Sequence, residues 1–99
     1  MIDLAKITGF DWNDGNAGKN EKHGVSPAEA EQVFFNAPLI VVADVRHSER
    51  EARLHALGKS NEGRQLHITF TLRDAGQKIR VISARDMHRK EKAFYEQAA

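Results

Sequence analysis

A chain of 99 residues with 40% hydrophobic and 29% charged side chains has the composition of one compact domain, residues 1–99, around a small core. It contains no cysteine, which excludes disulfide frameworks, thiolate zinc sites and cysteine nucleophiles. The net charge of +1 is too near neutral to argue for a nucleic-acid partner by itself, so that question rests on where the charges lie.

No apolar stretch approaches a membrane span, and the opening "MIDLAKITGF" lacks the long apolar segment of a signal peptide, so a cytoplasmic protein without membrane contact is expected. "ITGFDW" reads as a short first strand, with Ile7, Phe10 and Trp12 as strand formers interrupted by Gly9. The polar stretch from Asn13 to His23 reads as a short exposed helix, with Gly24 placed for a left-handed cap. In "VSPAEAEQVFFNAP" the helix signals are stronger. Ser26 is suited to the N-cap, Pro27 to the first position, and Glu29 to the far side of a capping box. Ala30, Val33, Phe34 and Ala37 then share one helical face, and Pro38 ends the helix.

The period changes in the second half. "LIVVAD" is a continuous apolar run suited to a strand covered on both faces, and the polar "VRHSERE" after it reads as a loop. In "RQLHITFTLR", Leu66, Ile68, Phe70 and Leu72 point one way, and His67, Thr69, Thr71 and Arg73 the other. "EARLHALGKS" and "KIRVISAR" alternate similarly on either side, across the turns "NEG" and "DAGQ". A last helix is expected from Met87 towards Gln97, capped by Asp86, with Met87 and Phe94 buried. The fold class is therefore α+β: a small, mostly antiparallel sheet with two N-terminal helices and a C-terminal helix, all gathered on one face.

Closing the two turns as simple hairpins sets a register. Leu54, Phe70 and Val81 align on the apolar side, as do Ala56, Ile68 and Ser83. The reverse side then places Arg53 beside Thr71 and Arg80, His55 beside Thr69 and Ile82, and Leu57 beside His67. Strict alternation would aim Arg85 into the core unless the strand ends or bulges first. Arg85, His88, Arg89, Lys92 and Tyr95 follow at helical spacing and make a basic corner next to that polar face. Antiparallel sheets also keep one face wet for solubility alone, so the pattern leaves this face open between a solvated surface and a site. The five histidines, His23, His47, His55, His67 and His88, show no metal-ligand spacing, and no metal or cofactor is expected.

Four separated blocks carry a resemblance. "GFDW", "KHGVS" leading into "AEAEQVFF", "HSERE" with Arg53, and "IRVISARDMHRKEKAFYEQ" resemble the BrnT family of toxins from type II toxin–antitoxin pairs, over about Phe10 to Tyr95. The resemblance implies a RelE-like fold, RNA cleavage that arrests translation, and a BrnA-like ribbon-helix-helix antitoxin that neutralises the toxin and carries the complex to operator DNA. It also draws attention to Lys22 and His23 of the second block as RNA contacts, although His23 beside Gly24 is equally well placed to end the first helix.

A ribonuclease working without metal needs a base for the RNA 2′-hydroxyl, cations on the phosphorane oxygens, and an acid for the leaving oxygen. Arg53 and Arg80 suit the phosphate, with Arg85 and Arg89 as further candidates, because a guanidinium fork matches two phosphate oxygens. Glu51, His55, His67 and His88 are candidates for proton transfer. Lys92 and Tyr95, with Arg89, extend the surface for RNA. The other reading is a non-catalytic module whose basic face binds RNA or an antitoxin segment.

Overall fold

The computed structural model of the chain describes residues 4–21, 23–46 and 51–98, with residues 19–21 described by backbone alone. Lys22 and residues 47–50, which include His47 and most of "HSERE", lie outside the described residues.

A 3-10 turn at Leu4–Lys6 leads into β1 (Gly9–Phe10), α1 (Asp14–Glu21), α2 (Pro27–Val33), β2 (Ile40–Asp44), β3 (Arg53–Lys59), β4 (Gln65–Arg73), β5 (Lys78–Asp86) and α3 (Arg89–Ala98). The five strands form one sheet in the order β1-β5-β4-β3-β2. Only β1 runs parallel to its neighbour; the other three pairings are antiparallel. The α+β class, the element order and the mostly antiparallel sheet agree with the sequence reading.

The core fills the space between the sheet and α2. Leu66, Ile68, Phe70, Ile79, Val81 and Ala84 are fully or almost fully buried beneath Val25, Ala30, Val33 and Phe34. Phe34 meets Phe70 edge-on, with ring centroids 5.1 Å apart. Gly58 lets α2 come this close to β3, since a Cβ there would stand 2.7 Å from Cγ1 of Val33. Ser26 caps α2 by accepting the Glu29 N–H at 3.1 Å. The capping box is only half made, because the Glu29 carboxylate is taken by Arg64 at 2.8 Å. Arg64 also grips Asp86 (2.7 Å) and donates to the carbonyls of Gly24 and His23, so one guanidinium joins four segments of chain.

Several expectations are corrected. α2 ends at Val33, and Ala37 is exposed beyond it, consistent with the bias against helical backbone just before Pro38. The "LIVVAD" strand is an edge strand. Leu39 and Val41 pack into the core and Ile40 packs beside Tyr95, but Val42 is 47% exposed because α3 covers only one end of that face.

The helices also do not gather on one face. α3 closes over the reverse side of the sheet, where Leu57, Met87 and Tyr95 make a second apolar cluster. Asp86 is the last residue of β5 and pairs with Arg64; Glu91 caps α3 instead, accepting the His88 N–H at 2.8 Å. Met87 therefore precedes the helix, and its spacing to Phe94 is not a helical one. Phe94 is 54% exposed, and Tyr95 is the buried residue.

Candidate active site

The reverse face of the sheet is built in rows about 6.8 Å apart, two residues of strand rise each. Asp44 pairs with Arg53, and Thr71 with Arg80, in the first row; Val42, His55, Thr69 and Ser83 align in the second; Ile40, Leu57, His67 and Arg85 align in the third, against α3. The third row reaches Arg85 because β5 carries one extra residue. Phe70 faces Val81, Thr69 faces Ser83, and Ile82 between them has no partner. This bulge reverses the parity of the strand, so Ala84 opposes Ile68 in the core and Arg85 turns to the polar face. Simple alternation had placed Ser83 in the core and Ile82 opposite Thr69; with the bulge, Ser83 stands opposite Thr69 and Ile82 has no counterpart on β4.

His55 sits at the centre with both ring nitrogens engaged. Nε2 lies 2.8 Å from Oδ2 of Asp44, and Nδ1 lies 3.1 Å from Oγ1 of Thr69. A carboxylate only accepts, so in the neutral ring Nε2–H donates to Asp44 and Nδ1 accepts the Thr69 hydroxyl hydrogen. Asp44 is itself steadied, its Oδ1 accepting the Arg46 N–H at 3.1 Å.

The His67 ring stacks on that of His55, with centroids 4.9 Å apart and planes 16° from parallel. Its Nδ1 is buried without a hydrogen-bond partner among the described residues. Burial, with the neighbouring Arg85 guanidinium adding to it, depresses His67 from the usual 6.5 to about 4, so this ring is neutral at physiological pH. Arg85 in turn holds Glu91 by two parallel hydrogen bonds of 2.8 and 3.0 Å, and the Glu91 carboxyl falls to about 2, chiefly through that bond.

The remaining sequence candidates fall in different places. Arg53 and Arg80 lie at the far row of the same face. The Arg80 guanidinium is turned towards Asp11 and Asn13, each at 3.3 Å, and so ties β5 to the start of α1. Glu51 pairs with Arg73 at 3.2 Å, beyond that row. His88, just ahead of α3, and Arg89 and Lys92 on it are exposed. Tyr95 is not on that exposed surface. It is 3% exposed, and its hydroxyl donates to the Pro38 carbonyl at 2.6 Å. His23 belongs to the other side of the molecule, with its carbonyl on Arg64.

Asp44, Thr69 and Glu91 are members of the cluster that the sequence did not single out. Asp44 closes an apolar run that reads as a strand, and only the β2–β3 register reveals its place beside His55. Chemically, the cluster joins a carboxylate-backed imidazole, a neutral imidazole and an oriented guanidinium on one sheet face.

The family model described as "Ribonuclease toxin, BrnT, of type II toxin-antitoxin system" matches residues 12–91. A comparison with curated proteins gives no match.

Proposed function

This chain belongs to the BrnT family of ribonuclease toxins of type II toxin–antitoxin systems, and from that membership we propose that it is an endoribonuclease whose own side chains carry the chemistry without a metal. The observation behind this reading is the Asp44–His55–Thr69 chain of hydrogen bonds beside His67 and Arg85. In the proposed reaction the RNA 2′-hydroxyl gives its proton to His55 by way of the Thr69 hydroxyl, and its oxygen attacks the adjacent phosphorus. The P–O5′ bond breaks, the leaving 5′-oxygen takes up a proton from water, and a 2′,3′-cyclic phosphate remains. Asp44 stabilises the imidazolium that forms.

The charge that develops on the phosphorane falls to Arg85, with Arg53 as a second cation on the face and neutral His67 as a hydrogen-bond donor. His67 is unsuited to being the base, because a second proton on its ring would leave a charged N–H buried without an acceptor. The exposed Arg89 and Lys92 extend the positive surface along the RNA. Cleavage of cytoplasmic RNA would arrest translation. A BrnA-like ribbon-helix-helix antitoxin would neutralise the toxin and carry the complex to operator DNA.

The test is cleavage of RNA by purified protein in excess chelator. Cyclic phosphate ends, with a loss of about 10²-fold or more in His55→Gln, support the reading. Activity that disappears in chelator and returns with magnesium overturns it. A His55→Gln protein that binds RNA and has no cleavage to lose favours the binding-module alternative.

A further inference from the structure

Glu91 is the residue of this cluster for which ion pairing alone is an incomplete account. A guanidinium offers five N–H donors in one plane, arranged as an end-on fork from Nη1 and Nη2 and a side-on fork from Nη2 and Nε. In Arg85 the end-on fork is filled by Glu91, with Nη1 donating to Oε1 at 2.8 Å and Nη2 to Oε2 at 3.0 Å. The second Nη1 hydrogen goes to the Asp86 carbonyl at 3.0 Å. Nε and the remaining Nη2 hydrogen make no hydrogen bond to the described residues, so the side-on fork stays available beside His67.

Glu91 can act as a fixed jaw because it is itself held. Its Oε1 accepts the His88 N–H, which closes the first turn of α3. One turn on, the buried Tyr95 pins the helix by packing against Leu57 of β3 and donating to the Pro38 carbonyl, with Met87 packed ahead of it. The Arg85 side chain, 24% exposed, is thereby immobilised by three hydrogen bonds while one edge is left for an anion.

We propose that Glu91 is a positioning residue for the ribonuclease reaction: it locks the Arg85 guanidinium so that the Nε–Nη2 edge meets the scissile phosphate. This rests on the reading of the face as an RNA-cleaving site. A carboxylate so close to the cation lowers the local attraction for RNA, so Glu91 works against ground-state binding and in favour of an oriented transition state. That division gives it a signature which a merely structural ion pair lacks. Removing Glu91 should lower kcat without raising KM.

The experiment measures kcat and KM on a short single-stranded RNA for the parent, Glu91→Ala, Arg85→Lys and the double variant, with thermal melting of each to establish folding. Glu91→Gln, which keeps an oxygen for the His88 N–H, takes the place of the alanine variant if that one unfolds. The expected result is a fall in kcat of about 10-fold or more for the Glu91 variant, an unchanged or lower KM, and no additional fall when Arg85 is already lysine. The inference is overturned if folded Glu91 variants keep or gain kcat, which would make the carboxylate a bystander or a brake. It is equally overturned if the loss is as large in the Arg85→Lys background. If Arg85→Lys alone cleaves as well as the parent, the reading of the face as the site falls, and the inference falls with it.

Discussion

His55 and His67 stand ring over ring on adjacent strands, yet their hydrogen-bonding situations are opposite. His55 has Asp44 on one nitrogen and Thr69 on the other, whereas Nδ1 of His67 is buried with no hydrogen-bond partner among the described residues. A proton arriving at the pair therefore finds acceptors around the first ring and an unsolvated pocket at the second. Two identical side chains with ring centroids 4.9 Å apart are thus held in opposite chemical surroundings.

The depressed His67 makes stability depend on pH. In the unfolded chain this ring gains its proton near pH 6.5, but in the fold only near 4. Between those values the unfolded state binds more protons, so its contribution is complete above pH 6.5 and is lost as pH falls towards 4. Glu91, held down to about 2 by Arg85, adds a second loss as pH falls from 4.5 towards 2. Urea unfolding of the parent at successive pH values should show the decline beginning at the upper window. His67→Leu should flatten that part and leave the Glu91 part in place. An unchanged slope above pH 4.5 in the variant would refute the assignment to His67.

Asp44→Asn should separate orientation from architecture. The amide can offer an N–H where Nε2 now donates its own, which favours the tautomer with the wrong nitrogen free and removes the charge facing an imidazolium. Cleavage is expected to fall by about 10²-fold or more while the melting temperature changes little. Full activity in a folded Asp44→Asn protein would mean that His55 does not need its carboxylate.

Tyr95 should behave as a bolt in the packing and not as an RNA contact. Tyr95→Phe removes the donor to the Pro38 carbonyl and should cost about 1 kcal/mol in equilibrium unfolding. Tyr95→Ala also empties a pocket between Leu57 and Met87 and should cost about 3–5 kcal/mol. RNA affinity of the folded Tyr95→Phe protein should match that of the parent. Weaker RNA binding at unchanged stability would return Tyr95 to the RNA surface.

The strands were legible because alternation and turn chemistry agree. Leu54 opposite Phe70, Ala56 opposite Ile68 and Phe70 opposite Val81 follow from counting across "NEG" and "DAGQ". His55 and His67 were already on one face by the same count. Less legible was whatever depends on a break in period. Ile82 looks like any other strand residue, yet it shifts the pairing of Ser83 and Ala84. Met87 looks helical, yet it lies before the helix, so the seven-residue step from it points to Phe94 where Tyr95 is the buried residue. Asp44 and Glu91 were hidden for a different reason. A lone carboxylate at a strand end or on a charged helix has many solvated counterparts, and only tertiary contact reveals which imidazole or guanidinium it serves.

Arg80 and Arg85 are five positions apart, and in an unbroken strand an odd step means opposite faces. They share a side because Ile82, the bulged residue, drops out of the alternation and leaves an effective step of four. The constraint therefore falls on the irregularity itself and not on the residue that fills it: a chain without Ile82 would reach the same partners by plain alternation. Straightening the strand with Ile82 retained would instead set Ala84 opposite His67 and send the Arg85 guanidinium to the core side opposite Leu66. One lost bulge would exchange a cation for a methyl group in the site and bury a charge in the core.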